Sequence, residues 1–406
     1  MATSPPLDFA ALAPALGQHV AKYSAALIAF RRDIHAHPEL GRLERRTTLK
    51  LADRLTAAGL NPRPLPGGAG LICEIGHGEP VVALRADLDA LPIDDEKVDS
   101  PYRSTVHGVC HACGHDVHTT ILLGIKLVLA ELARTGMFDG RVRLVFQPAE
   151  ESMPGGALDV IDAGGIEGAR RIFALHCDPR QDLGSIGVRV GPLTGSSDQV
   201  RVQLSSIGGH TARPHLTGDL VYALAKIVTD VPSVLSRRVD PRAGLSVVWG
   251  RIRAGGAANV IPQSGEAEGT VRSLDAKAWE DAQSVVTEAV ELLAAPYGVH
   301  VKVDYTRGVP PVVNDMESVA VIETAAKALL GKDRVDTIDQ NLGGEDFAWY
   351  LERIPGALFR LGVRTPGDDI VRDLHQGTFD VDERAIDVGV RLMTGVALLE
   401  LAVKRV

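Results

Sequence analysis

The chain has 406 residues, 45% of them hydrophobic and 23% charged, an ordinary globular composition that can bury a sizeable core and, at roughly 100–200 residues per domain, suggests two domains or three. The net charge of −9, scattered without acidic runs, argues against nucleic acid and anionic membranes as partners. Four cysteines, Cys73, Cys110, Cys113 and Cys177, are too sparse for a disulfide scaffold; the longest apolar run near a helix, 121–130, is broken by Lys126 and falls short of the roughly 20 residues a membrane span needs; and no basic region precedes an apolar stretch in 1–20, so a soluble cytoplasmic protein is expected.

Along the chain, apolar periodicity predicts helices over 23–35, ending before Pro38, and over 45–58, stopping at Gly59. Short apolar strands follow at 71–75 and 81–86. A helix over 117–133 leads to a strand at 142–146, a helical segment at 156–162 and a strand at 171–176. Strands that are apolar throughout and alternate with helices imply an α/β layer with a mainly parallel sheet. The middle of the chain differs. A strand at 199–205, a helix over 219–235 that Pro232 should kink or end, strands at 245–252 and 265–273, a helix over 276–294 and a strand at 299–305 follow the β-α-β-β-α-β order of a ferredoxin-like unit. Gly191-Pro192 on one side and Gly308 with Pro310-Pro311 on the other mark its edges, so residues 192–306 are expected to form a small α+β domain inserted into a larger one made of 1–191 and 307–406. Helices at 315–330 and 380–402 and a strand at 357–362 complete the larger domain.

The chemistry concentrates between His107 and His118. His107, Cys110, His111, Cys113, His115, Asp116 and His118 place seven potential metal ligands within 12 residues, just ahead of a helix where side chains can converge. Mixed cysteine and histidine donors suit zinc or a similar borderline metal. Three other uses of the segment stay open: a redox pair from Cys110 and Cys113, a structural zinc finger, which wants a second compact ligand pair that the sequence lacks, and a solvated histidine-rich loop. Distant residues that could complete a metal site are Glu150 and Glu151 after the strand at 142–146, His176 at the end of the strand at 171–176, and His375 in a polar turn. Two adjacent carboxylates at a strand end allow one to bind metal while its neighbour faces a water, although such a pair is also the usual start of a solvated helix. If His375 joins Cys113, His115 and Glu151, the C-terminal part must close the large domain, and 192–306 becomes an insertion hanging from it.

Several segments in this order resemble one family. His35-Ala36-His37-Pro38-Glu39-Leu40, the run from Ala83 to Pro92, His111-Ala112-Cys113-Gly114-His115-Asp116, Gln147-Pro148-Ala149-Glu150-Glu151, Asn259-Val260-Ile261-Pro262, Gly269-Thr270-Val271-Arg272, Gly344-Glu345-Asp346-Phe347 and Leu374-His375 together are similar to the amidohydrolase branch of the zinc aminoacylase/carboxypeptidase superfamily. That branch includes hippurate hydrolases, N-acyl amino acid deacylases and auxin-conjugate hydrolases. The chain departs from the common pattern after His375, where Gln376-Gly377-Thr378 lacks the usual proline, and after Glu151, where Ser152-Met153-Pro154 replaces frequent glycines.

The resemblance implies metal-dependent hydrolysis of the amide bond of N-acyl amino acids. It implies two divalent ions, zinc foremost with manganese or cobalt also suited, held by Cys113, His115, Glu151, His176 and His375. Glu150 would be the general base for a water made acidic by the metals. His210, in the segment Gly208-Gly209-His210, would be a lid histidine reaching a neighbouring active site, where it could donate to an oxyanion. Asn259 and Arg272 would contact substrate, the arginine offering a bidentate fork to a carboxylate. A homodimer formed through the inserted lid is implied as well. Asp87 or Asp89 is expected to orient a ligand, with a strand-end cap as the plainer use. A carboxypeptidase or dipeptidase on the same centre, and a non-catalytic metal-binding regulatory protein, remain the competing functions.

Overall fold

A computed structural model describes residues 8–134 and 138–403. The chain divides into two compact units. The first comprises Met1–Gly191, Val313–Asp339 and Trp349–Val406; the second comprises Pro192–Val312 and Gln340–Ala348. The second unit thus runs past residue 306 and takes in a later segment that the sequence reading had left in the first.

The first unit is built on an eight-stranded sheet. Its spatial order is Arg63–Pro64, Leu71–His77, Gly140–Gln147, Val81–Asp87, Ala169–Asp182, Gly356–Arg364, Ile186–Val188 and Val335–Thr337. The four central strands, from Gly140–Gln147 to Gly356–Arg364, run parallel, and the strand next to them on each side, Leu71–His77 and Ile186–Val188, pairs antiparallel. All seven residues of Val81–Asp87 are buried, as a parallel strand covered on both faces must be. The connection from Val81–Asp87 to its parallel neighbour Gly140–Gln147 passes through the helix His115–Arg134, which packs against the helices Phe9–Ala36 and Arg384–Ala402.

The first helix begins well before residue 23. Leu12, Leu16, Val20, Leu27, Phe30 and Ile34 continue one buried face from its first turns, and the Asp8 side chain caps it by accepting the Ala10 N–H at 2.9 Å. Pro14 removes one hydrogen bond without ending the helix because that apolar face is anchored on both sides of it.

The second unit carries a four-stranded antiparallel sheet in the order Ser246–Ala254, Ser264–Arg272, Ser197–Ser205 and His300–Val309. The helices Leu220–Arg238 and Ala276–Ala294 pack on it around a separate apolar core that includes Val202, Leu224, Ile227, Ala267, Val286 and Val290. This is the β-α-β-β-α-β arrangement read from the sequence. Its first helix runs on through Pro232 to Arg238: Val231 and Leu235, on either side of the proline, both stay buried against the core, and that burial holds the helix together past one missing hydrogen bond. No helix among the described residues is long and apolar enough to cross a membrane.

Candidate metal centre

The centre forms at the carboxyl ends of the parallel strands and in the loops that leave them. Asp87 ends its strand. The following loop is pinned by two backbone hydrogen bonds between Leu91 and Cys110, at 3.0 and 3.1 Å, and reaches Cys113. Gly114 then turns the chain into the helix whose first residue is His115. Gly114 has φ of 87°, which favours glycine, and a Cβ there would also stand a tight 3.0 Å from Cys177 Sγ. Glu150 and Glu151 follow Ala149, whose φ of 56° is left-handed. His176 lies within the strand Ala169–Asp182, paired in register with Arg360, where the sequence had suggested a strand end. Burial on both faces carries this strand past the histidine. His375, also left-handed at φ 62°, donates its backbone N–H to the Ala112 carbonyl at 2.7 Å, which fastens the C-terminal loop to the segment that carries Cys113.

The side chains so placed form overlapping groups whose donor atoms lie within 4.8 Å of one another: Cys113 with His115 and His176, Cys113 with Glu151 and His375, and His115 with Glu150 and Glu151. Cys113 Sγ is 3.4 Å from His176 Nε2, and Glu151 Oε1 is 3.1 Å from His375 Nε2. His115 Nε2 is buried without a hydrogen bond among the described residues, with Asp87 at 3.7 Å and Glu150 at 4.0 Å. A buried, unbonded ring nitrogen among sulfur, nitrogen and carboxylate donors fits a borderline divalent cation. Burial pushes the Cys113 thiol up and the His176 imidazolium well down. His375, bonded to Cys113 and Glu151, is raised to about 10. His115 is raised as well: burial opposes its charge, but Asp87 and Cys113 outweigh burial. Thiol and imidazolium donors of this kind must lose their protons to bind a dication.

Two aspartates organise the surroundings. Asp89 Oδ1 is 3.2 Å from His115 Nδ1 while its Oδ2 accepts the Glu151 N–H at 2.9 Å, so one carboxylate orients two of the predicted ligands. Asp87 meets His118 Nδ1 at 2.6 Å and accepts from Arg85 at 2.7 Å. Burial opposes the Asp87 charge, yet His115, His118 and Arg85 hold it well below the usual carboxylate range. Arg85 in turn donates to Gln147, one residue before Pro148.

The crowded segment 107–118 therefore separates into distinct roles. Cys113 and His115 enter the metal groupings, and Asp87, His115 and His118 form a further buried one. His118 joins Asp87 and accepts the Cys177 N–H at 2.9 Å. Asp116 is buried between His35 at 2.8 Å and Arg31 at 2.6 Å, which gives the histidine of the N-terminal motif a structural partner. Neither ring nitrogen of buried His111 has a hydrogen bond among the described residues, and burial pushes its pKa down to about 3. His107 is exposed beside Asp94, and Cys110 stays in its backbone bridge. Arg31 has no signal in the sequence, whereas His118 stands there among the seven crowded donors and Asp89 beside Asp87 as a candidate to orient a ligand. The signal for His118 was its place one helical turn after His115.

Within the second unit, the two-residue ladder of Gly209–His210 with Val260–Ile261 sets His210 beside Asn259: the Thr211 N–H donates to the Asn259 carbonyl at 3.3 Å, and both residues are exposed. Arg272 lies apart from them, at the end of its strand. Its Nη1 donates to the Leu342 carbonyl at 2.7 Å, and no carboxylate pairs with it among the described residues.

The model for peptidase family M20/M25/M40 matches residues 83–399, and the chain belongs to that family. A Bacillus subtilis protein named N-acetylcysteine deacetylase is 37% identical over 382 residues, covering 93% of this chain and 98% of its own length. A solved structure of a Bacillus subtilis protein, described as a dinuclear metal-binding peptidase from the M20 family, superposes with a TM-score of 0.81 at 34% identity, over 94% of this chain and 99% of that one. A Rhodococcus jostii relative, provisionally named a glutamate–cysteine ligase, is 50% identical over 376 residues, but the chain spans only 46% of its length.

Proposed function

We propose that this protein is a two-metal amidohydrolase that cuts the amide bond of N-acyl amino acids. The observation that carries this reading is the divergence of two adjacent carboxylates. Glu151 Oε1 lies 3.1 Å from His375, whereas Glu150 Oε2 lies toward His115, at 4.0 Å. Cys113, His115, Glu151, His176 and His375 would hold the pair of divalent ions, with zinc foremost and manganese or cobalt also compatible with the donors. Bound there, the ions would supply carbonyl polarisation and a more acidic water. Glu150 then takes the water's proton and delivers it to the departing nitrogen, a task suited to a carboxylate beside the ligands but not among them. Asp89 keeps His115 and the Glu151 backbone in place.

In the lid, His210 donates to the developing oxyanion, and Asn259 contacts the substrate. Arg272 receives the free α-carboxylate; its hydrogen bond to a neutral carbonyl leaves its charge available for that role. The working unit is a homodimer formed through the lid, and four free buried cysteines suit a reducing cytoplasm.

A hydrolysis screen of the metal-loaded protein tests the reading. N-acetyl, N-benzoyl and indole-acyl amino acids should release free amino acid faster than unmodified dipeptides do. Faster cleavage of dipeptides would reassign the protein as a dipeptidase, and no turnover of any substrate with two metals bound would reject the reading.

A further inference from the structure

The helix Arg45–Thr56 has Glu44 at its N-cap position, yet the Glu44 side chain makes no capping hydrogen bond. Glu39 takes the cap instead, accepting the N–H groups of Arg46 and Thr47 at 2.8 Å each. Released from the helix, the fully buried Glu44 carboxyl accepts the N–H of Ala149 at 2.7 Å through Oε1, while Oε2 has no hydrogen-bond partner among the described residues. Ala149 is the left-handed residue immediately before Glu150 and Glu151. A non-glycine residue keeps that conformation only where its surroundings over-determine it. The neighbouring backbone is packed just as tightly: a Cβ at Gly41 would lie 3.2 Å from Ala149 Cα and 2.5 Å from Ser152 Oγ.

We propose that Glu44 is a positioning residue for the Glu150–Glu151 pair, its carboxyl holding Ala149 in the left-handed turn that sends the two glutamates to different partners. The proposal rests on the amidohydrolase reading given above. Removing the acceptor leaves a buried N–H unsatisfied at a residue whose backbone is already strained, so the turn relaxes and Glu150 moves off its line to the water. Burial, with the charge of Asp89 adding to it, pushes the Glu44 carboxyl up to about 7, so a neutral group of the same shape is suited to this pocket.

The test uses the metal-loaded full chain and the N-acyl amino acid it turns over fastest. Glu44→Gln keeps an acceptor at the same reach and should hold kcat within about threefold of wild type. Glu44→Asp withdraws the acceptor by one methylene and should lower kcat roughly tenfold or more, with KM and metal content little changed. Adding Ala149→Gly to Glu44→Asp should recover several-fold in kcat, since glycine takes the left-handed form unaided. If Glu44→Asp does not yield folded protein, Glu44→Met, close in size but without the acceptor, is read by the same criteria. Wild-type kcat in the acceptor-less variant, an equal loss in Glu44→Gln, or a loss confined to KM or to bound metal would each overturn the proposal. Glu150→Gln is the control: if it stays active, the amidohydrolase reading itself fails, whereas an inactive Glu150→Gln beside an active Glu44→Asp sinks only the role of Glu44.

Discussion

At the scale of single residues, Asp89 explains more of the centre than any predicted ligand does. One of its oxygens faces His115 and the other holds the Glu151 backbone, so a ring and a loop from two segments share one rigid reference. The sequence made the candidate donors legible, because their types and spacing are chemical requirements, and the fold brings them together. It did not distinguish the uses of Asp87 and Asp89, because those depend on which oxygen meets which ring, and three segments far apart in the chain decide that. The division between Glu150 and Glu151 has a direct consequence. Glu150→Gln should lower kcat by about 10²- to 10⁴-fold, the usual worth of a general base, while elemental analysis still finds the wild-type metal content. Metal loss matching the loss of activity would place Glu150 among the ligands instead.

At the scale of elements, the departures from the sequence reading share one cause, which is tertiary burial extending an element beyond its local signals. The helix expected from residue 117 starts two residues earlier, because His115 and Asp116 are buried along with the residues that follow. The strand expected to end at His176 continues to Asp182. Pro232 does not end its helix, because residues on both sides are held by the lid core. The turn at Gly114 is the tightest of these junctions, since a side chain there must adopt a left-handed backbone and also meet Cys177 Sγ at 3.0 Å. Gly114→Ala should therefore cost about 1–3 kcal/mol in denaturant unfolding of the chelator-treated protein and should weaken metal retention, because Cys113 and His115 flank the strained residue. Unchanged stability and unchanged metal titration would show that the turn tolerates a side chain.

At the scale of the whole molecule, the order of strands and helices changes character between residues 192 and 306, and the two units of the structure carry separate apolar cores. The assignment of Gln340–Ala348 to the second unit was not legible, because it depends on pairings such as Thr194 with Asn341 and Arg272 with Leu342 across long stretches of chain. The proposed dimer adds a requirement that no single subunit can meet. If His210 serves the centre of the other subunit, Glu150→Gln and His210→Ala proteins should each be inactive and metal-replete, yet mixing them after reversible dissociation should restore activity. Random reassortment makes half of the dimers mixed, and each mixed dimer has one centre with an intact Glu150 served by an intact His210. The recovered rate should then approach about a quarter of wild type. If His210 serves its own subunit, both centres of every mixed dimer lack one group, and the mixture should stay as inactive as its components.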